Sequence, residues 1–90
     1  MENLRIGEEE VSFTITSEPY VSLTPRGYSA VVNVLVEGEK EEKMFFITYA
    51  KSLSAIIEKH REENNWKFEG IKLKIIKDSS GRFARFIELL

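Results

Sequence analysis

The chain has 90 residues, of which 42% are hydrophobic and 31% are charged, and its formal net charge at pH 7 is −2. This composition is typical of one globular domain, and it excludes a disordered chain as well as a membrane-spanning helix of roughly 20 apolar residues. The absence of cysteine and the single histidine exclude disulfides, thiolate chemistry and a histidine-based metal site. The first ten residues lack the basic and apolar regions of a signal peptide, so we expect a cytoplasmic protein.

Charge is distributed unevenly along the chain. Residues 1–65 carry 7 basic and 12 acidic side chains, whereas residues 66–90 carry 6 basic and 3 acidic ones. The two parts are therefore −5 and +3, which gives the −2 of the whole chain. A locally basic third is a candidate surface for a polyanion. The abundance of Lys and Glu and the lack of glutamine resemble the composition of thermophile proteins.

The first quarter of the chain predicts one strand and one loop. Residues 1–10 are acidic and contain Gly7, so we expect a loose lead-in to a single domain over residues 11–90. Apolar side chains at positions 11, 13 and 15 alternate with Ser and Thr, which predicts a half-buried strand. Because residues 18–27 contain Pro19 and Pro25, we expect a loop there, either contacting a ligand or covering one end of the core.

Two strongly apolar strands follow. Residues 28–37 are apolar on both faces, and a charged turn at residues 38–42 leads to a third strand at residues 44–49. Alternation does not decide whether Phe45 or Phe46 faces the core.

One helix is predicted at residues 50–64, where the apolar spacing changes from two to three and four. Its apolar stripe consists of Leu53, Ile56, Ile57 and His60. After it, Trp66 and Phe68 lie two apart in a short extended piece, and Trp66 fits a core position as well as a surface position. Residues 71–75 and 82–90 predict two closing strands joined by a turn at residues 78–81.

The element order β-β-β-α-β-β predicts an all-β barrel with one helix. An open α+β sandwich, with the helix packed across an antiparallel sheet, is the alternative. Because the second and third strands are apolar on both faces, we favour the barrel.

Over residues 11–90 the sequence resembles small OB-fold single-stranded DNA-binding proteins of the archaeal and phage type. The resemblance is carried by the strand YSAVVNVLVEG, the strand MFFITY that runs into the helix, and the closing GIKLKIIKDSSGRFARFIEL. It implies a five-stranded, partly open barrel that binds nucleic acid through its second and third strands and the loops 1–2 and 4–5.

The resemblance implies a groove for single-stranded DNA, without a metal or another cofactor, and does not distinguish DNA from RNA. The residues implied for that groove are Arg26, Tyr28, Phe46, Lys72, Lys74, Lys77, Arg82 and Arg85. Aromatic rings stack on bases for roughly 1–3 kcal/mol each, while Lys and Arg follow the phosphates. We therefore expect binding that weakens as salt rises.

A protein-interaction module is the alternative function. It would bind a protein partner, a second copy of this chain or the other subunits of a larger complex through exposed aromatic anchors, namely Phe45 or Phe46, Trp66 and Phe86. We do not expect an enzyme, because His60 lies on the apolar stripe and Ser79-Ser80 lies in a turn without the strand-turn-helix context of a nucleophile.

Overall fold

The apolar segments of the sequence pair into one mostly antiparallel sheet that packs against a single helix. The structure is a computed structural model that describes residues 2–25, 27–48 and 50–89. Its elements are β1 (Val11–Ile15), β2 (Tyr20–Thr24), β3 (Gly27–Val36), β4 (Lys43–Phe46), α1 (Lys51–Glu63), β5 (Lys72–Asp78) and β6 (Arg85–Glu88). The predicted β-rich class is confirmed, as is a helix followed by two strands. There are six described strands rather than five.

The additional strand, β2, lies where the two prolines predicted a loop, and that prediction is wrong. Pro19 precedes β2 and Pro25 follows it, so neither removes a backbone N–H from the strand itself. β2 forms a hairpin with β3 in which Tyr20 lies opposite Val31. At the turn Gly27 has φ +109°, a conformation that favours glycine.

β3 is the central strand, because β1, β2 and β4 all pair with it. Val31 has Tyr20 of β2 as one partner and Phe46 of β4 as the other, so these two strands lie on opposite edges of β3. Val34 is likewise opposite both β1 and β4. β1 and β2 therefore lie along one edge of β3, interrupted by residues 16–19. β5 pairs with the other edge of β1, and β6 pairs with β5.

The core lies between the inner face of the sheet and α1. The phenyl rings of Phe13 and Phe45 meet edge to face, with centroids 5.2 Å apart. From the predicted helical stripe, Leu53 and Ile57 are buried, and the next turn brings His60 against the Glu88 carboxylate of β6. α1 has 13 residues and is neither long enough nor apolar enough to cross a membrane; no other helix is seen in the described ranges.

The N-terminal segment, residues 2–7, belongs to the fold instead of forming the loose lead-in that we expected. Leu4 and Ile6 are only 9% and 8% exposed. The Leu4 N–H donates to the Met44 carbonyl (2.7 Å), and the Met44 N–H donates to the Glu2 carbonyl (2.8 Å). The segment thus lies parallel to β4, along its second edge.

The described sheet is not closed into a barrel, and the barrel prediction is wrong in this respect. Within the described ranges no pairing joins β4 to β6. The gap between these strands, which we call the seam, is instead bordered by the N-terminal segment. β6 is also shorter than predicted, because residues 79–84 form an irregular loop before Arg85.

Candidate functional site

A cavity of about 410 Å³ lies at the seam. It is lined by Asn3, Leu4, Arg5, Ile6, Phe45, Phe46, Lys77 and Phe86. It forms where the edges of β4 and β6 do not meet, so the space that strand pairing would fill remains open. We call it the seam cavity.

Three phenyl rings and two cations give the seam cavity its chemistry. Phe45 and Phe86 are buried and form its apolar floor, whereas Phe46 is half-buried. Lys77 lies opposite Phe86 in the β5–β6 ladder, and its backbone N–H donates to the Gly7 carbonyl (2.8 Å).

The charge of the seam cavity is opposite to that of the whole chain. Arg5 and Lys77 are basic, and none of the described lining residues is acidic. The chain itself carries −2. Such a local concentration of cations attracts an anion even in an acidic protein.

Lys72 and Lys74 lie on the outer face of β5, in surroundings of mixed charge. They line a shallow groove over β1 whose lining residues also include the acidic Glu37 and Glu39. The Lys74 ammonium is 3.6 Å from a carboxylate oxygen of Glu10. This groove is therefore less attractive to a polyanion than the sequence indicated.

Arg82 and Arg85 lie at and after the loop of residues 79–84. The Arg82 guanidinium stacks 5.5 Å from the centre of the exposed Phe83 ring. Arg85 lies opposite Asp78, whose carboxylate accepts hydrogen bonds from the Ser80 hydroxyl (2.6 Å) and N–H (3.0 Å). These hydrogen bonds, together with the charge of Arg85, lower the pKa of Asp78.

Tyr28 lies on a hairpin arm, which we define as residues 20–25 and 27–31. On one face of this arm, Val21, Leu23 and Tyr28 are 67%, 69% and 76% exposed. The pairing of Leu23 with Tyr28 places these two side chains side by side. Arg26, predicted for the same loop, lies outside the described residues.

The seven predicted residues that the structure describes therefore do not form one groove. The structure brings Phe46 and Lys77 together at the seam cavity, although 31 positions separate them in the sequence. Three other places hold the rest: Lys72 and Lys74 lie on the outer face of β5, Arg82 and Arg85 lie in and just after the 79–84 loop, and Tyr28 lies on the hairpin arm. Sequence reasoning missed Arg5, and the signal was present: Leu4 and Ile6 alternate with Asn3 and Arg5, as in a strand.

Within the described ranges there is no cluster of three or more His, Asp or Glu side chains that could hold a metal ion. Comparisons of the chain with protein families, with curated proteins and with solved structures find no match. The assignment of a function to the seam cavity therefore rests on the geometry of this chain alone.

Proposed function

We propose that the protein binds single-stranded nucleic acid, with DNA as the favoured ligand, and that the seam cavity receives a base with its phosphate. The observation that carries this proposal is the composition of the cavity wall: its described residues supply aromatic rings and two cations and no acidic side chain, in an acidic chain. Such binding requires no reacting group, so we propose a non-catalytic protein.

The strand pairing supports an OB-like architecture. The pairs β1–β3, β3–β4, β1–β5 and β5–β6, with α1 between β4 and β5, follow the connectivity of that fold when β1 and β2 are counted as one interrupted strand. The seam then corresponds to the place where an OB barrel is only partly closed. OB-folds bind oligonucleotides, which is why the architecture favours this ligand class.

The size and chemistry of the seam cavity suit one nucleotide. Its volume lies in the range of small-ligand sites, roughly 300–1,000 Å³. In the proposed complex a base lies against Phe46, and its phosphate is held by Arg5 and Lys77. Stacking contributes roughly 1–3 kcal/mol per base, and each phosphate contact makes the affinity dependent on salt.

The test is a fluorescence-anisotropy titration of a labelled oligo-dT of about 20 nucleotides at low and high salt. We expect Phe46→Ala to weaken binding roughly 5- to 150-fold, which corresponds to the loss of one stacked base. Arg5→Ala should weaken binding and reduce the slope of log affinity against log salt by about 0.7.

Lys40→Ala is the matched control for Arg5→Ala, because it removes one positive charge from the exposed turn between β3 and β4. The affinity of this variant should stay within about twofold of that of the parent chain, since Lys40 is exposed and does not line the seam cavity. An unchanged anisotropy at low salt would contradict the proposed function. Equal losses for Lys40→Ala and Arg5→Ala would contradict the location at the seam.

The hairpin arm favours a second candidate, a protein-interaction module. The anchors proposed for it from the sequence are partly wrong, since Phe45 and Phe86 are buried in the core. The exposed face of Val21, Leu23 and Tyr28 carries no charge, and among the described residues no strand pairs with the outer edge of β2. Binding there would depend little on salt and would be lost on Leu23→Ser, a substitution that should leave binding of oligo-dT unchanged.

A further inference from the structure

Trp66 occupies a backbone conformation that bulky residues rarely adopt. Asn65 and Trp66 follow α1 with φ values of +57° and +63°, where the sequence predicted an extended piece. A bulky side chain in this left-handed region is a genuine outlier, and such positions cluster at functional sites. Asn is one of the residues that tolerate this region, so the unusual position is that of Trp66.

The loop of residues 64–70 is held firmly in this conformation. The Trp66 N–H donates to the Arg61 carbonyl (2.9 Å), and the Asn64 side-chain amide donates to the carbonyls of Lys67 (2.8 Å) and Glu69 (2.9 Å). The Glu18 carboxylate accepts hydrogen bonds from the backbone N–H groups of Phe68 (3.1 Å) and Glu69 (2.7 Å).

Packing does not explain why tryptophan stands here. The residue is 61% exposed and lies outside the hydrophobic core. Its ring contacts the guanidinium of Arg61, whose carbon lies 5.5 Å from the Trp66 ring centre and 5.4 Å from that of Phe68. The stack of Trp66, Arg61 and Phe68 thus orients an indole that remains largely in solvent. A glycine would remove the strain without removing a side chain from the hydrophobic core.

We propose that Trp66 is a second stacking platform, which receives another base of the strand bound at the seam cavity. This inference rests on the proposed function. An exposed, immobilised aromatic ring offers a π-face to any base, and Lys67, the next residue in the chain, supplies an exposed cation for a phosphate beside that base.

The distance between the two sites sets the length of strand required. The Ser52 hydroxyl, in the first turn of α1, accepts the N–H of Phe86, whose side chain lines the seam cavity, whereas Trp66 follows the last turn. A helix of 13 residues is about 20 Å long. At about 3.4 Å per stacked nucleotide, roughly six nucleotides span this distance, and fewer do so when extended.

Trp66 is the only tryptophan, so its fluorescence reports directly on this site. We expect dT12 to quench the emission and dT3 to quench it far less at equal nucleotide concentration. A 12-mer with abasic sugars keeps the phosphates but offers no base to stack, so it should leave the emission unchanged.

The Trp66→Gly substitution distinguishes a binding role of the indole ring from a structural role. We expect a roughly 5- to 150-fold weaker affinity for labelled dT12, together with a thermal midpoint that is unchanged or higher, because glycine adopts a positive φ without strain. Asn65→Gly is the matched control. It relaxes the same loop and keeps the indole, and it should retain both the affinity and the midpoint.

Three outcomes would overturn the inference while leaving the proposed function intact. In the first, dT12 binds by anisotropy, but it does not quench the Trp66 emission and Trp66→Gly does not weaken its affinity. In the second, the abasic strand quenches the emission as strongly as dT12 does. In the third, Trp66→Gly markedly lowers the thermal midpoint, which would assign the ring a structural role. If the parent chain shows no anisotropy change with dT12, the proposed function fails, and this inference fails with it. Quenching by a proline-rich peptide instead would identify a protein-binding surface.

Discussion

Asp78 determines the start of the loop that carries Arg82 and Phe83. Its carboxylate accepts two hydrogen bonds from Ser80, one from the hydroxyl and one from the backbone N–H, and so forms an Asx turn. The same hydrogen bonds, with a smaller effect from Arg85, place the pKa of Asp78 below its usual value of 3.8. Because the ionised form is the better acceptor, the shape of the loop is linked to pH.

We expect the contribution of Asp78 to stability to be lost in acid. A carboxyl group whose pKa is lowered by folding stabilises the fold above the unfolded value of 3.8, and this effect disappears as pH falls through the lower folded pKa. Ser80→Ala removes the largest cause of the shift, so the pKa of Asp78 should rise towards its usual value. Titration of the carboxyl signal by NMR measures this, and identical titration curves for the two chains would contradict it.

At the scale of elements, the bend between β1 and β2 shows what the sequence could indicate and what it could not. Pro19 correctly marked an interruption. β1 and β2 both lie along β3 because the residues between them bond to β3, which is distant in the sequence. The Thr16 N–H donates to the Asn33 carbonyl, and the Asn33 N–H donates to the Ser17 hydroxyl. Alternation and helical spacing predicted the other elements, because they report local burial.

Glu18 joins this bend to the loop after α1, and removing it should destabilise the protein. Its carboxylate accepts the N–H groups of Phe68 (3.1 Å) and Glu69 (2.7 Å), which lie about fifty positions away. Glu18→Ala should lower the free energy of unfolding in urea by about 1 kcal/mol, after allowance for solvent exposure.

Glu39→Ala is the matched control, because it removes the same charge from an exposed ion pair with Lys43. It should change the free energy of unfolding by less than about 0.5 kcal/mol. Equal effects of Glu18→Ala and Glu39→Ala would mean that the hydrogen bonds of Glu18 do not tie the loop.

At the scale of the molecule, the seam explains why the candidate site was only partly predictable. Phe46 and Lys77 were chosen from the sequence, but their partner Arg5 belongs to a segment whose acidity indicated a lead-in. Local patterns define strands and faces, whereas the closure of a sheet depends on which distant edges meet. The same limit led us to favour a barrel over an open sandwich.

The N-terminal segment should contribute to stability through alternate residues. Leu4→Ala and Ile6→Ala each remove a buried side chain and should lower the free energy of unfolding by about 2–3 kcal/mol. Arg5→Ala lies between them and is exposed, so it should change stability by less than about 0.5 kcal/mol. Urea denaturation of the three variants is the measurement. Three equally small effects would mean that the segment does not belong to the core.

The pairing of residues 2–4 with β4 also determines when the N-terminal segment can fold during synthesis of the chain. A chain made from its N-terminus exposes Leu4 and Ile6 until residue 44 and the strand around it have emerged, because their partners do not exist before then. The hairpins β2–β3 and β3–β4 join neighbouring segments and close short loops, so they can form early. The wall of the seam cavity that carries Arg5 is thus completed only after much of the sheet exists, and the proposed ligand binding requires the same late step.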